Sequence, residues 1–205
     1  MSNDKNTDLT PITRLYEDSL VQHGVKPLGV GWRDEGSHRL RFDKLSSVIE
    51  AGDGVSINDL GCGYGAFYDY LVGKRVKVSL FRGYDISEKM LEEARTRVPE
   101  GEFLNGSVLD KTADYAFASG IFNVRLQETE ENWRTHVERT LDNLFENCSR
   151  GFAFNVLSTY VDYREPHLFY GDPLHFFDLC KRRYSRRVSL LHDYPLFEWT
   201  MVVRK

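Results

Sequence analysis

The residues with the clearest capacity for chemistry are two carboxylates and three glycines. Gly61, Gly63 and Gly65 stand at alternate positions in the segment Asp59-Leu60-Gly61-Cys62-Gly63-Tyr64-Gly65. Glycines at that spacing let the backbone turn tightly and let a ligand approach the main-chain amides. Asp85 follows about 20 residues onward, in Gly83-Tyr84-Asp85-Ile86-Ser87. A carboxylate there can accept hydrogen bonds from both hydroxyls of a ribose. Asp59, just before the first glycine, places a second negative charge beside the same turn.

Strands and helices in alternation must hold these groups. Residues 55–60 form a short strand ending on Asp59 and Leu60, and residues 64–72 a helix with Phe67 and Leu71 on one face. A second strand, 78–84, delivers Asp85. A helix over 87–98 then carries Met90, Leu91, Ala94 and Val98 in one stripe before Pro99 stops it. A third strand lies near Phe103 and a fourth over 115–119. Trp133, Val137, Leu141, Leu144 and Phe145 recur at helical spacing, with Glu128, Glu130 and Glu131 where the helix dipole favours negative charge. Residues 151–157 are a continuous apolar run, as expected of a parallel strand buried on both faces. Asp172-Pro173 is a helix start, an N-cap followed by proline.

The two ends of the chain depart from this alternation. Residues 188–192 and 196–203 are strands joined only by Asp193-Tyr194-Pro195, too short a link for a parallel crossover, so they form an antiparallel hairpin. Upstream, Ile12, Leu15, Tyr16, Ser19, Leu20 and His23 follow helical spacing from Pro11, with Gly24 placed to end the helix. Ser37 is positioned to cap a second helix reaching about Ala51. The expected organisation is a disordered leader over 1–9 and one domain over 10–205. Within it, a helical cap (10–51) precedes the core (55–205).

Gly61-x-Gly63-x-x-Ala66 also satisfies the fingerprint of a dinucleotide site, so the glycines alone admit two ligands. Three features separate them. Asp59 is unfavourable beside a pyrophosphate and favourable beside the α-amino group of a methionine. A dinucleotide fold needs a second βαβαβ half, where this chain closes with a hairpin. Residues 59–70 contain no Lys or Arg to meet phosphate.

With these motifs in order, residues 55–205 resemble the class I S-adenosylmethionine-dependent methyltransferases. The resemblance implies an α/β fold of three Rossmann-like layers. Its sheet is seven-stranded and mostly parallel with an antiparallel C-terminal strand, and an N-terminal helical lid is added. It implies S-adenosyl-L-methionine as the cofactor, with Gly61, Cys62, Gly63 and Gly65 under the methionine portion and Asp59 near its ammonium. Asp85 would bind the ribose, and Ile86 and Met90 would flank the adenine. Asn105-Gly106-Ser107-Val108 resembles the third motif, which usually carries an acid for the adenine amino group. Ser107 stands there instead, leaving that contact to Ser107 or to the Val108 backbone. Ser119-Gly120-Ile121-Phe122 matches the end of the fourth strand, with Ser119 and Gly120 near the sulfonium. Gly31-Trp32 with Ser37-His38-Arg39-Leu40-Arg41-Phe42 is similar to the lead-in of some small bacterial methyltransferases, often with Gln where His38 stands.

Methyl transfer from a sulfonium is an in-line displacement that alignment and desolvation can drive without a side-chain nucleophile. His38 and His167 are the candidate bases by position, with the reading as a structural or surface histidine the stronger one for each. Tyr16 and Trp32 from the cap, and Tyr160, Tyr163 and Tyr170 from the loop after the fifth strand, are the candidate acceptor contacts. A small-molecule oxygen or nitrogen is the expected methyl acceptor. The alternatives are RNA or protein, and, outside the methyltransferases, an NAD(P)-dependent enzyme. The run Lys181-Arg182-Arg183-Tyr184-Ser185-Arg186-Arg187 is the one feature that suits RNA, and it better suits a solvated helix end, where cations complement the dipole. The segment at 119–122 lacks the Asn/Asp-Pro-Pro-Tyr/Phe signature of enzymes that methylate exocyclic amines of nucleic acids.

Bulk composition agrees. The chain has 205 residues, 41% of them hydrophobic, and a formal net charge of −4, so no global positive field recruits nucleic acid. Its three cysteines form no C-x-x-C pair and its histidines no ligand-spaced cluster, which points away from a metal site and towards a reducing, cytoplasmic compartment. No apolar run approaches the length of a membrane span. Whether the chain acts as a monomer or a homodimer is open at this level.

Overall fold

A computed structural model describes residues 7–24, 34–50 and 54–205. Trp32, the Gly29–Trp32 stretch and most of the expected leader lie outside the described residues. In chain order the elements are α1 (Thr10–His23), α2 (Glu35–Ser46), β1 (Val55–Leu60), α3 (Ala66–Gly73), β2 (Val78–Asp85), α4 (Glu88–Arg97) and β3 (Glu102–Asn105). They continue through β4 (Ala113–Ala118), α5 (Glu130–Glu146), β5 (Cys148–Ser158), β6 (Tyr170–Gly171), α6 (Pro173–Arg183), β7 (Arg187–Leu191) and β8 (Glu198–Arg204).

The strands form one sheet in the order β3-β2-β1-β4-β5-β8-β7, with the two-residue β6 paired to the end of β5. Strands β1 to β5 run parallel, while β8 lies antiparallel between β5 and β7. The fold is therefore the expected Rossmann-like sheet with an inserted antiparallel strand, enlarged by the short β6. Helices cover both faces. On one, α5 and α6 set Trp133, Val137, Leu141, Leu144 and Phe176 against Leu60, Ala118, Phe152 and Phe154. On the other, α2, α3 and α4 set Phe42, Leu45, Phe67, Leu71 and Leu91 against Ile57, Phe81, Phe117 and Val202. Burial of apolar groups on both faces is the main source of stability in such a sheet.

Boundaries moved where a stronger cap competed. Helix α2 starts three residues' worth of sequence before the expected Ser37, because the Asp34 carboxylate accepts from the Ser37 amide at 2.8 Å and its hydroxyl at 2.7 Å. It ends at Ser46 rather than near Ala51, in a tightened turn where the Val48 amide donates to Leu45 O. Asp8 and Leu9, within the expected leader, are tied to α1: the Asp8 carboxylate accepts from the Thr10 amide, and Leu9 O accepts from the Ile12 and Thr13 amides. The closing hairpin has a longer connection than expected, since Leu196 and Phe197 are outside β8. Among the described residues no helix is long and apolar enough to cross a membrane.

Candidate functional site

The parallel strands finish level with one another: Leu60 pairs with Tyr84 and with Ala118, and Asp85 with Asn105. The turns that leave them open onto one edge of the sheet, around a cleft that is partly open to solvent. Gly61, Cys62 and Gly63 form its floor, Asp59 and Asp85 its acidic lining, and Ile86, Met90 and Ser107 one wall. Ser119 and Gly120 close it from β4. Ten of the expected cofactor residues are thus gathered in one place. Gly65 and Val108 are not among the lining residues. Gly65 caps α3 in the left-handed region (φ 81°), and the Val108 side chain is exposed.

Glycine is demanded at position 61. Its φ is 75°, its amide donates to Tyr84 O at 2.7 Å, and a Cβ there would come within 2.0 Å of Ile121 Cγ2. The turn it makes brings the Gly63 amide onto Asp85, which accepts from Gly63 on one oxygen and from Ser87 on the other, both at 2.9 Å. Each carboxylate oxygen keeps a lone pair directed elsewhere. Burial nevertheless pushes the Asp85 carboxyl above its usual range, against the pull of those amides.

Asp59 is more extreme. It is 3% exposed, and burial, with the nearby Asp85 charge, holds its carboxyl up to about 8. No basic side chain among the described residues pairs with it. A buried carboxyl in a cleft without a cation is a group waiting for one. The Ser119 hydroxyl is likewise buried with no hydrogen-bond partner. Beside it, the Gly120 amide donates at 2.8 Å to Asn155 Oδ1, and Asn155 Nδ2 donates at 3.0 Å to Glu198 Oε1. Arg41 Nε completes the chain at 2.8 Å from Glu198 Oε2. A fully buried relay thus runs from α2 through β8 and β5 to the turn after β4.

Helix α1 lies over the cleft. Its Leu9, Ile12, Thr13 and Tyr16 line the site. It is anchored through Leu20 against Tyr64 and Met90, and by Glu17 to Ser87 Oγ at 3.1 Å and Lys89 at 3.0 Å. Tyr16 is therefore where a lid residue was expected, and burial pushes its hydroxyl up to about 12. His38 of α2 also faces the cleft, its ring tilted against Phe42 with centroids 4.3 Å apart. Burial, then the neighbouring Arg41 and Arg97, holds its imidazole down to about 4.

The aromatic loop after β5 does not arrive. Tyr160 and Tyr163 are exposed, and the Tyr160 ring lies tilted beside His192 with centroids 5.8 Å apart. Tyr170 and Thr159 border a separate small hollow beside the starts of α5 and α6. His167 is exposed, its carbonyl accepting from the Arg125 and Leu126 amides at 3.0 Å. The loop is pinned to the segment after β4, pointing away from the cleft.

Among the lining residues that escaped the sequence reading are Leu9 and Thr13 at the start of the cap, and His136 and Thr140 of α5. The helix was legible as core, from Trp133 and Val137 onward. The missed signal is that His136 and Thr140 interrupt its inward side with polar groups one turn apart.

Comparisons with known proteins agree with this geometry. Residues 58–144 match the methyltransferase domain family. The putative methyltransferase Rv1506c of Mycobacterium tuberculosis is 47% identical over 163 residues, covering 77% of this chain and 98% of that protein. Among solved structures, magnesium protoporphyrin IX methyltransferase from Synechocystis, with bound S-adenosylmethionine, is 15% identical with a TM-score of 0.68, covering 98% of this chain and 100% of that one. An S-adenosylmethionine-dependent methyltransferase from Mesorhizobium loti is 16% identical with a TM-score of 0.54, covering 80% and 96% of the two chains.

Proposed function

The chain belongs to the class I S-adenosylmethionine-dependent methyltransferases, and from that premise we propose that it methylates an oxygen or nitrogen of a small molecule. The observation that carries this reading is the lid. Leu9, Ile12, Thr13 and Tyr16 of α1 roof the cleft, leaving a partly enclosed space with apolar walls and few polar groups. Small ligands suit such a space, whereas a polymer needs an open, charged groove.

The basic run supports the same reading by its position. Arg187 pairs with Arg204, which pairs with Gly151 near the start of β5, so the run sits at the amino-end edge of the parallel strands. The cleft is at the opposite edge. Several of its charges are also engaged, Arg182 with Asp178, Arg183 with Asp142 and Arg187 with Glu50.

The cofactor, when bound, supplies a methyl group on a sulfonium. The residues present fit it: Asp59 would accept its ammonium, and Asp85 would accept the ribose hydroxyls on the lone pairs its backbone amides leave. The Ser119 hydroxyl and the Gly61–Gly63 turn would line the methionine portion. His38, neutral above about pH 5, would hydrogen-bond to the acceptor through one of its ring nitrogens and orient it. An imidazole held down to about 4 is a poor base for an ordinary alcohol. The acceptor in this reading is a nitrogen with a free lone pair or an oxygen acid enough to be already ionised.

The test has two arms. Calorimetry should show binding of S-adenosylhomocysteine and none of NAD; the reverse would sink the cofactor reading for this cleft. Methyl-labelled cofactor added to fractionated cell extract should label the small-molecule fraction, and label confined to RNA or protein would reject the acceptor class.

A further inference from the structure

The cleft crosses the edge of the sheet from one face to the other. By strand alternation, Asp59 shares a face with Ile57, and Asp85 with Phe81, both packed beneath α2, α3 and α4. Leu60, Tyr84 and Leu104 point to the other face, under α5. Both acidic groups therefore serve the first face. On the second, α5 presents a polar stripe at helical spacing, His136, Thr140, Asn143 and Asn147.

The lower half of that stripe grips the β3–β4 connection. Asn143 accepts from the Leu109 amide at 2.7 Å and donates to its carbonyl at 3.0 Å, and Asn147 donates to the same carbonyl at 3.2 Å. The upper half lines the cleft, as does Ser107. Thr140 is 7% exposed, and its hydroxyl donates to His136 O at 2.9 Å. With its one hydrogen so committed, the oxygen can only accept. The stripe thus offers a buried acceptor where the loop at Ser107 offers no acid.

Resting on the reading that Asp59 and Asp85 hold the ammonium and ribose on the first face, we propose that Thr140, with His136 beside it, reads the 6-amino group of the adenine. The base attached to that ribose would lie among Ile86, Ser107 and the α5 residues that line the same cleft. There an amino donor meets an acceptor-only oxygen. A 6-oxo base would set acceptor against acceptor and leave the pocket unsatisfied.

S-adenosylhomocysteine and its inosine analogue, S-inosylhomocysteine, differ at that one group and can be titrated calorimetrically into the intact protein. The wild-type protein should prefer the adenosyl compound at least about tenfold. Thr140→Val keeps the shape and removes the oxygen; it should weaken the adenosyl compound about tenfold and bring the ratio near one. Thr140→Ser, which restores the hydroxyl, should restore the preference. An unchanged ratio in Thr140→Val, an equal loss for both ligands, or no preference in the wild type would each overturn the assignment. Tight binding of both compounds that Asp85→Ala still weakens would reject Thr140 as the reader and leave the cofactor reading intact. Failure of both compounds to bind the wild type would overturn both readings.

Discussion

At the scale of single residues, the two carboxylates of the cleft are set for different tasks by their surroundings. Asp85 already accepts one backbone amide on each oxygen, so it is oriented before any ligand arrives. Losing its charge-assisted bonds, in Asp85→Ala, should weaken S-adenosylhomocysteine binding by about 1.5–3 kcal/mol in calorimetry. Asp59 has burial and no cation, which is why its carboxyl stands at about 8. An ammonium needs the ionised form, so affinity should fall as pH drops below 8, by up to about tenfold per unit. Asp59→Asn should bind more weakly and lose that slope. The same shift has a cost in the free protein. A folded pKa above the ordinary carboxylate value of 3.8 means that Asp59's contribution is favourable in acid and is lost as pH rises from there towards 8. Ligand-free Asp59→Asn should therefore melt above the wild type at pH 8 by a few degrees, at about 2–4 °C per kcal/mol, with the gap closing near pH 4. A variant that melts lower at pH 8 would show that the buried charge is compensated elsewhere.

At the scale of elements, the relay Arg41–Glu198–Asn155–Gly120 ties four of them together. It fixes the backbone after β4 and the helix that carries His38. Burial pushes the Glu198 carboxyl up even with Arg41 and Asn155 pulling it down, so the network is held by its mutual geometry. Removing one partner in Glu198→Ala leaves the Arg41 charge buried and should cost about 3–5 kcal/mol in denaturant unfolding. Glu198→Gln turns an amide donor towards Asn155 Nδ2. The paired change Glu198→Gln with Asn155→Asp reverses that donor and acceptor and should recover most of the loss. Additive losses in the double variant would argue against a connected relay. None of this was visible in the sequence: Arg41 and Glu198 are 157 residues apart, and nothing local marks either as buried.

At the scale of the whole molecule, charge and cleft are segregated to opposite edges of the sheet. Neutralising Lys181, Arg182 and Arg186 together should leave turnover of a small acceptor unchanged and equally insensitive to salt. A steep, salt-dependent loss in that assay would place an anionic polymer among the substrates. The same segregation explains why α1 matters. It closes the carboxyl edge through Glu17 and Leu20, contacts made to residues about seventy positions away in sequence.

What the sequence determined by itself was whatever adjacent residues encode: the glycine turn at 61–65, the carboxylates at the ends of β1 and β2, the strand and helix periods, and the antiparallel closing hairpin. Turn chemistry and side-chain periodicity act over a few residues, so they can be read along the chain. Tertiary structure alone decided what those elements face. It turned the expected acceptor contacts Tyr160 and Tyr163 out to solvent, because Phe169 and His167 are hydrogen-bonded to the segment after β4. It also brought His136 and Thr140, on a helix legible only as core, to the wall of the cleft. Both outcomes depend on packing between distant segments, for which one sequence carries no local signal.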